Sequence, residues 1–217
     1  MPLNPSLKLN IKSGIKFETF FLIGAVLWGA LVVSGLFIVG NYENSPNFEV
    51  RPAPAHWPEA SGLSLARDRY TLVMLAHPKC PCTRASLGEL ERLMAETQGK
   101  IQTYILFVRP AGFSESWVKT DLWQKAEKIP GVQVVMDDKG AKAKYFNGST
   151  SGETYLYDAK GNLMFAGGIT ASRGHEGDNA GRSAIDSLIQ EGKSNLKQTY
   201  TFGCALFSHP SEKSGGK

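Results

Sequence analysis

Cys80 and Cys82 flank one proline in the run Ala76-His77-Pro78-Lys79-Cys80-Pro81-Cys82-Thr83, and the third cysteine, Cys204, stands far down the chain. The ionised form of a thiol is what attacks disulfides and binds soft metals, so the chemistry turns on what would ionise one of these sulfurs. Proline is favoured at the first position of a helix. Pro81 in that position makes Cys80 the N-cap residue and Cys82 the second helical residue. The Cys80 sulfur then faces unpaired backbone N–H groups at the positive end of the helix dipole. A thiol ionises near pH 8.5, and a helix N-terminus with cations beside it lowers that to about 3.5 to 7.5. Lys79, Arg84 and His77 are the cations at hand. Burial without such partners acts in the opposite sense, so Cys80 is expected to be partly exposed. The bland alternative is a pair of buried structural thiols. Cys204 has the neighbours Tyr200-Thr201-Phe202-Gly203 and Ala205-Leu206-Phe207. They suit a packed core thiol as well as a resolving partner that returns to Cys80.

The elements that would hold this pair follow from the hydrophobic pattern. A continuously apolar run at 70–76 predicts a central strand directly before the cysteines. Leu87, Leu90, Leu93 and Met94 recur at helical spacing and predict an amphipathic helix over 81–97 directly after them. Further strands are expected at 103–108 and 132–136, with one helix over 114–128 between them and a short helix at 141–146 after the second. Trp117 and Trp123 are six residues apart on the 114–128 helix and do not share a face, so one is expected to pack and the other to offer a contact surface. A flexible stretch, 147–152, leads to a hairpin of strands at 154–157 and 163–166, turned by Asp158-Ala159-Lys160-Gly161. A last helix is expected over 181–190. The order is β-α-β-α-β-α-β-β-α, parallel connections first and a hairpin last.

The chain has 217 residues, 42% hydrophobic, 10% aromatic and 20% charged, enough for one domain with a real core and an appendage. Its net charge of +4 owes part to Lys8, Lys12 and Lys16 near the N-terminus, which leaves too little for a nucleic-acid footprint. From 20 to 40 the sequence FFLIGAVLWGALVVSGLFIVG carries no charge. At 1.5 Å per residue it reaches roughly 31 Å, the thickness of a hydrocarbon core. No small-residue cleavage site follows, so the run is read as an uncleaved anchor. The lysines ahead of it place 1–19 in the cytoplasm and the rest of the chain outside. Residues 41–61, with Pro46, Pro52, Pro54 and Pro58, are read as a linker, 62–207 as the folded domain with a C-terminal extension, and 208–217 as a flexible tail. No phosphate-binding loop, dinucleotide fingerprint, His-x-x-x-His pair or Gly-x-Ser-x-Gly elbow is present.

The element order, with cysteines at the first strand-to-helix junction, resembles the thioredoxin fold: α/β, a mixed central sheet flanked by helices, here with one N-terminal transmembrane helix. The family pattern W-C-x-x-C places its second cysteine on Cys82, its proline on Pro81 and its usual nucleophile on Lys79, so this chain has C-x-C instead. A disulfide across one residue closes a tight ring, and strained disulfides are more oxidising. The segment 138–161 resembles the part of membrane-anchored thioredoxin-like proteins that carries a cis-proline opposite the cysteines, and here Gly152 takes that place. In that fold the stretch after the hairpin returns to the cysteine end, which implies that Thr170, Arg173 and His175 border the site. Arg173 and His175 could steady a thiolate, protonate a leaving sulfur or bind an anion, and a solvated loop explains them as well. The pieces HPKCPCT, GGIT and RGHEGDNAGR resemble a small bacterial group of thioredoxin-like proteins labelled RedB.

The resemblance implies a membrane-tethered thiol–disulfide oxidoreductase in the periplasm, held in the bacterial inner membrane by a single pass and acting on protein thiols or disulfides near that membrane. Cys80 and Cys82 are the catalytic pair, Cys80 attacking and Cys82 resolving. His77, Lys79, Pro81, Gly152, Thr170, Arg173 and His175 support them or bind partners, and no cofactor is implied. The alternative is a copper(I)-binding metallochaperone for respiratory enzyme assembly, with the two thiolates and His77 or His175 as donors. A noncatalytic docking domain is the third reading, and it requires unreactive thiols.

Overall fold

The computed structural model describes residues 17–46 and 52–207. Residues 1–16 of the expected cytoplasmic segment, 47–51 of the expected linker, and the expected tail at 208–217 lie outside them. The chain divides into two units, Met1–Tyr42 and Glu43–Lys217. The first contains nearly all of helix α1, Phe17–Glu43, which is long and apolar enough to cross a membrane. Its large apolar side chains are exposed rather than packed into a core.

The second unit is built on a five-stranded sheet in the order β3-β2-β1-β4-β5. The strands are β1 (Tyr70–Ala76), β2 (Ile101–Arg109), β3 (Val132–Asp138), β4 (Thr154–Tyr157) and β5 (Leu163–Gly167). β1, β2 and β3 pair in parallel, whereas β4 runs antiparallel to both β1 and β5. This is the expected mixed sheet. Central β1 is buried along six of its seven residues because both faces are covered, and that is why it reads as an unbroken apolar run. Leu72 and Met74 face a core closed by Leu87, Leu90 and Leu93 of helix α2 (Pro81–Thr97) and by Ile185 and Leu188 of helix α6 (Ala180–Glu191). Val73 and Leu75 face the other core, with Tyr104, Phe146, Tyr157 and Trp57.

Three expectations change. The single helix over 114–128 is two short ones, α3 (Glu115–Val118) and α4 (Asp121–Glu127). Thr120 between them is extended, and its hydroxyl donates to the Pro78 carbonyl (2.8 Å), which ties the break to the cysteine turn. The break places Trp123 against Phe107 in the core and leaves Trp117 half-buried at the surface. The stretch 147–152, expected to be flexible, is packed: Ser149, Thr150 and Ser151 are all buried, just after α5 (Ala141–Tyr145). The end of the expected linker belongs to the folded unit. Trp57 is buried edge-on against Phe146 and Tyr157, and its backbone N–H donates to the Gly161 carbonyl (2.8 Å).

After α6 the chain returns along the open edge of β5. Ala166 donates to the Lys197 carbonyl (3.0 Å), and the Thr199 hydroxyl donates to the Gly168 carbonyl (2.7 Å). An exposed sheet edge is a template for unwanted pairing, and this segment covers it. It then crosses to the 149–152 loop, where Thr150 and Ala205 form an antiparallel bridge.

Candidate functional site

Helix α2 begins as the proline predicts. Pro81 opens the helix, and Cys80 is its N-cap residue in extended conformation (φ −95°, ψ 126°). The turn before it is tied down on three sides. His77 N–H donates to Ser151 Oγ (2.9 Å), the Thr83 hydroxyl donates to the His77 carbonyl (2.9 Å), and Cys80 N–H donates to the same carbonyl (3.3 Å). Thr83 Oγ1 and Ser151 Oγ also share a hydrogen bond of 2.6 Å.

Cys204 is brought to this turn by the C-terminal segment. Ser151 N–H donates to the Cys204 carbonyl (2.9 Å), and Leu206 N–H donates to the Ser149 carbonyl (2.8 Å). All three cysteines are free thiols, and they meet: the side chains of both Cys204 and Cys82 hydrogen-bond to the Cys80 sulfur. Those two bonds, Cys204's foremost, push the Cys80 ionisation far below the ordinary thiol range, against the opposing effect of burial. The backbone N–H groups of Thr83 and Cys204 add to the effect, although the Thr83 amide does not close a full capping bond to the sulfur. Cys82 and Cys204 are pushed strongly upward, first by their bonds to Cys80, then by burial and by its negative charge. The cluster therefore favours one thiolate between two thiols, and its protons belong to the group as a whole.

Two expectations about this environment are corrected. Cys80 is only 1% exposed rather than partly open, because the C-terminal segment lies over the turn. What surrounds the sulfur is nevertheless polar, a set of thiols and amides. The charge is also stabilised by sulfur donors rather than by the expected cations. Lys79 lies 5.1 Å above the Trp117 ring, and Arg84 pairs with Asp121. His77 is held toward its neutral form by burial, with Lys79 adding to that and the Cys80 charge opposing it. Its Nδ1 accepts from Lys79 N–H (3.2 Å), and its ring meets Trp117 edge-on at 5.6 Å.

The remaining expected residues separate. Arg173 is drawn in: its guanidinium donates to the Gly203 carbonyl (2.8 Å), and its charge, like the Gly174 N–H, eases the ionisation of Cys82. Gly152 holds φ +91°, a backbone conformation that favours glycine, and a Cβ there would meet the Ser86 hydroxyl at 2.9 Å and turn it aside. His175 is exposed and lies 3.5 Å from the Glu43 carboxylate rather than against a thiol. Thr170 is buried on the wall of a separate cavity of about 820 Å³ that also touches Asn179 and Tyr200. Cys80 lines a smaller cavity of about 440 Å³ with Pro78, Lys79, Arg84, Thr120 and Asp121.

The polar run 173–179 has a structural account. Buried Glu89 of α2 accepts from Gly177 N–H (2.7 Å) and the Asn179 amide (3.1 Å), and pairs with Arg182 (2.9 Å) and Arg92 (2.7 Å). Asn179 in turn caps α6 by accepting from Arg182 N–H (2.8 Å). Among the described residues, no group of three or more His, Cys, Asp or Glu side chains is arranged to hold a metal ion.

No protein-family model matches the sequence, and no curated protein matches it significantly. Solved structures resemble it. An uncharacterised conserved protein from Geobacillus kaustophilus is 21% identical, with a TM-score of 0.53 over 66% of this chain and 79% of that one. A hypothetical protein from Sinorhizobium meliloti is 16% identical, with a TM-score of 0.53 over 76% of this chain and 96% of that one. A secreted Mycobacterium tuberculosis disulfide oxidoreductase homologous to E. coli DsbE is 12% identical, with a TM-score of 0.41 over 58% of this chain and 84% of that one. At such identities the likeness is one of fold. The mixed five-stranded sheet with its flanking helices is thioredoxin-like, with one N-terminal apolar helix as a candidate membrane span.

Proposed function

We propose that this chain is a membrane-tethered thiol–disulfide exchange protein that works outside the cytoplasm on protein partners, with Cys80 as the attacking sulfur. The observation that carries the reading is the convergence of two thiols on the N-cap cysteine of α2, which favours ionisation of that one sulfur. Exchange runs through the thiolate, so a sulfur ionised at rest needs no base to activate it. The aromatic surface beside the smaller cavity suits a polypeptide partner: Phe113 is 47% exposed, and its ring lies 4.5 Å from that of Trp117. Tethering by α1 would confine the site to membrane-proximal partners and raise their effective concentration.

Alkylation of the reduced full chain with iodoacetamide, followed residue by residue across pH, tests this reading. Cys80 is expected to react at a rate that stays level from about pH 5 to 9, as a thiolate already formed would. A Cys80 rate that instead climbs tenfold per pH unit up to about 8.5, as an ordinary thiol does, overturns it. The same sulfurs would also suit copper(I) carried as cargo, a soft ion that prefers thiolate. Competition against a copper(I) chelator separates the two readings, since stoichiometric binding lost in both Cys80→Ser and Cys82→Ser would favour the carrier.

A further inference from the structure

Cys204 is fixed in place rather than draped over the site. The Thr150–Ala205 bridge and the bonds from Ser151 N–H to the Cys204 carbonyl and from Leu206 N–H to the Ser149 carbonyl tie 204–206 antiparallel to the 149–151 loop. Gly203 packs so closely on the Ser151 carbonyl that a Cβ would overlap it. Arg173 holds the Gly203 carbonyl from the other side (2.8 Å), and Leu206 is anchored in the core. Ser151 is the common clamp. Its amide holds the Cys204 carbonyl while its hydroxyl holds His77 N–H and Thr83, so the two sulfur-bearing turns share one support.

Cys82 is also against Cys80, but it is less able to bridge to it. Only Pro81 separates the two, its φ is locked by its ring, and it is the first residue of α2. Closing so small a ring works against the first helical turn, where Thr83 N–H donates to the Cys80 carbonyl (3.0 Å). Cys204 comes from a separate segment and carries no such constraint.

We propose that Cys204 is the resolving thiol: after Cys80 has captured a partner disulfide, Cys204 releases the partner by closing a Cys80–Cys204 disulfide, and Cys82 remains a thiol that hydrogen-bonds the attacking sulfur. This rests on the exchange reading above. In the first step the Cys80 thiolate attacks R–S–S–R′, the partner S–S bond breaks, and R′S⁻ leaves and takes a proton from solvent. In the second step Cys204 loses its proton and attacks the Cys80 sulfur, and RS⁻ leaves with that proton. Two electrons pass from the two cysteines to the partner, which is reduced to RSH and R′SH.

The test treats the reduced full chain in detergent with one equivalent of dipyridyl disulfide, follows release of the coloured thione, and maps the linked peptides by mass spectrometry without reduction. Wild type is expected to release two thiones per chain and to yield a Cys80–Cys204 link. Cys82→Ser should slow the first release and still yield that link. Cys204→Ser should stop after one release, with the adduct on Cys80 living about tenfold longer or more. A wild-type map that shows Cys80 joined to Cys82 overturns the proposal without needing any variant. If Cys80 takes the reagent while Cys204 stays alkylatable, this inference fails and the exchange reading stands. If Cys80→Ser reacts as fast as wild type, the exchange reading fails and takes the inference with it.

Discussion

At the scale of single residues the site is a problem in sharing one negative charge among three sulfurs. The Cys80 thiolate is preferred because it alone receives two thiol hydrogen bonds, while Cys82 and Cys204 each give one up if they ionise. The pH dependence of stability follows. Below about 9, the ordinary thiol value, the unfolded chain keeps all three protons and the folded chain has already lost the one on Cys80. The unfolded state binds the extra proton, so stability rises with pH, by at most about 1.4 kcal/mol per unit. Above about 9 the unfolded chain loses three protons and the folded chain still holds two, so stability falls again. The contribution of Cys80 is therefore full above its unfolded value and is lost as pH drops toward its folded one. Urea unfolding under reducing conditions should show the advantage of wild type over Cys80→Ser growing from about pH 5 to 9 and then declining, because Cys80 is the main cause that keeps Cys82 and Cys204 protonated in the fold. An advantage that does not change with pH would mean the sulfur is un-ionised in the fold. Of this cluster the sequence revealed the pair and its place at the helix start, because Pro81 and the apolar run before it are local signals. It did not reveal what stabilises the charge. Lys79 and Arg84 flank the pair within two residues, yet they turn to Trp117 and Asp121.

At the scale of elements, the deciding piece is the segment after α6. Strands β1 to β3 and helix α2 were legible because burial on two faces, or on one helical stripe, imposes a periodicity on the sequence. Residues 197–207 have no such periodicity. They are placed mostly by backbone bonds to β5 and to the 149–151 loop, which leave little mark on residue type, and so Cys204 could be read only as open between core thiol and partner. The glycines were the one available trace. Gly203 is there because the Ser151 carbonyl leaves no room for a side chain. Gly203→Ala should force the segment off the loop, cost about 1 to 3 kcal/mol, and speed alkylation of Cys80 several-fold by uncovering it. Alkylation unchanged in that variant would show that the segment does not limit access. A second anchor, Glu89, pins the 173–179 loop. Glu89→Ala leaves Arg182, which is only 15% exposed, short of its buried partner, and should destabilise the fold by about 3 kcal/mol or more in urea.

At the scale of the whole molecule, pairing Cys80 with Cys204 would join the first strand-to-helix turn to the end of the folded chain, a loop of about 120 residues. A cross-link over so long a loop removes much of the freedom of the unfolded chain and is worth about 4 to 5 kcal/mol in the chain-entropy account. One across a single residue removes far less, about 1.6 kcal/mol by the same account. The redox state of the site is thereby expected to register in the stability of the entire second unit, so that an oxidised molecule is stiffened by its own product and a reduced one is looser while it waits for a partner. Urea unfolding of the full chain in oxidised and reduced form reads this directly. The oxidised form should unfold at the higher midpoint, and the gain should persist in Cys82→Ser and vanish in Cys204→Ser. A gain that vanishes in Cys82→Ser and persists in Cys204→Ser would place the second electron on the helix instead. In that case the C-terminal segment would be a cover over the sulfur and not a reactant.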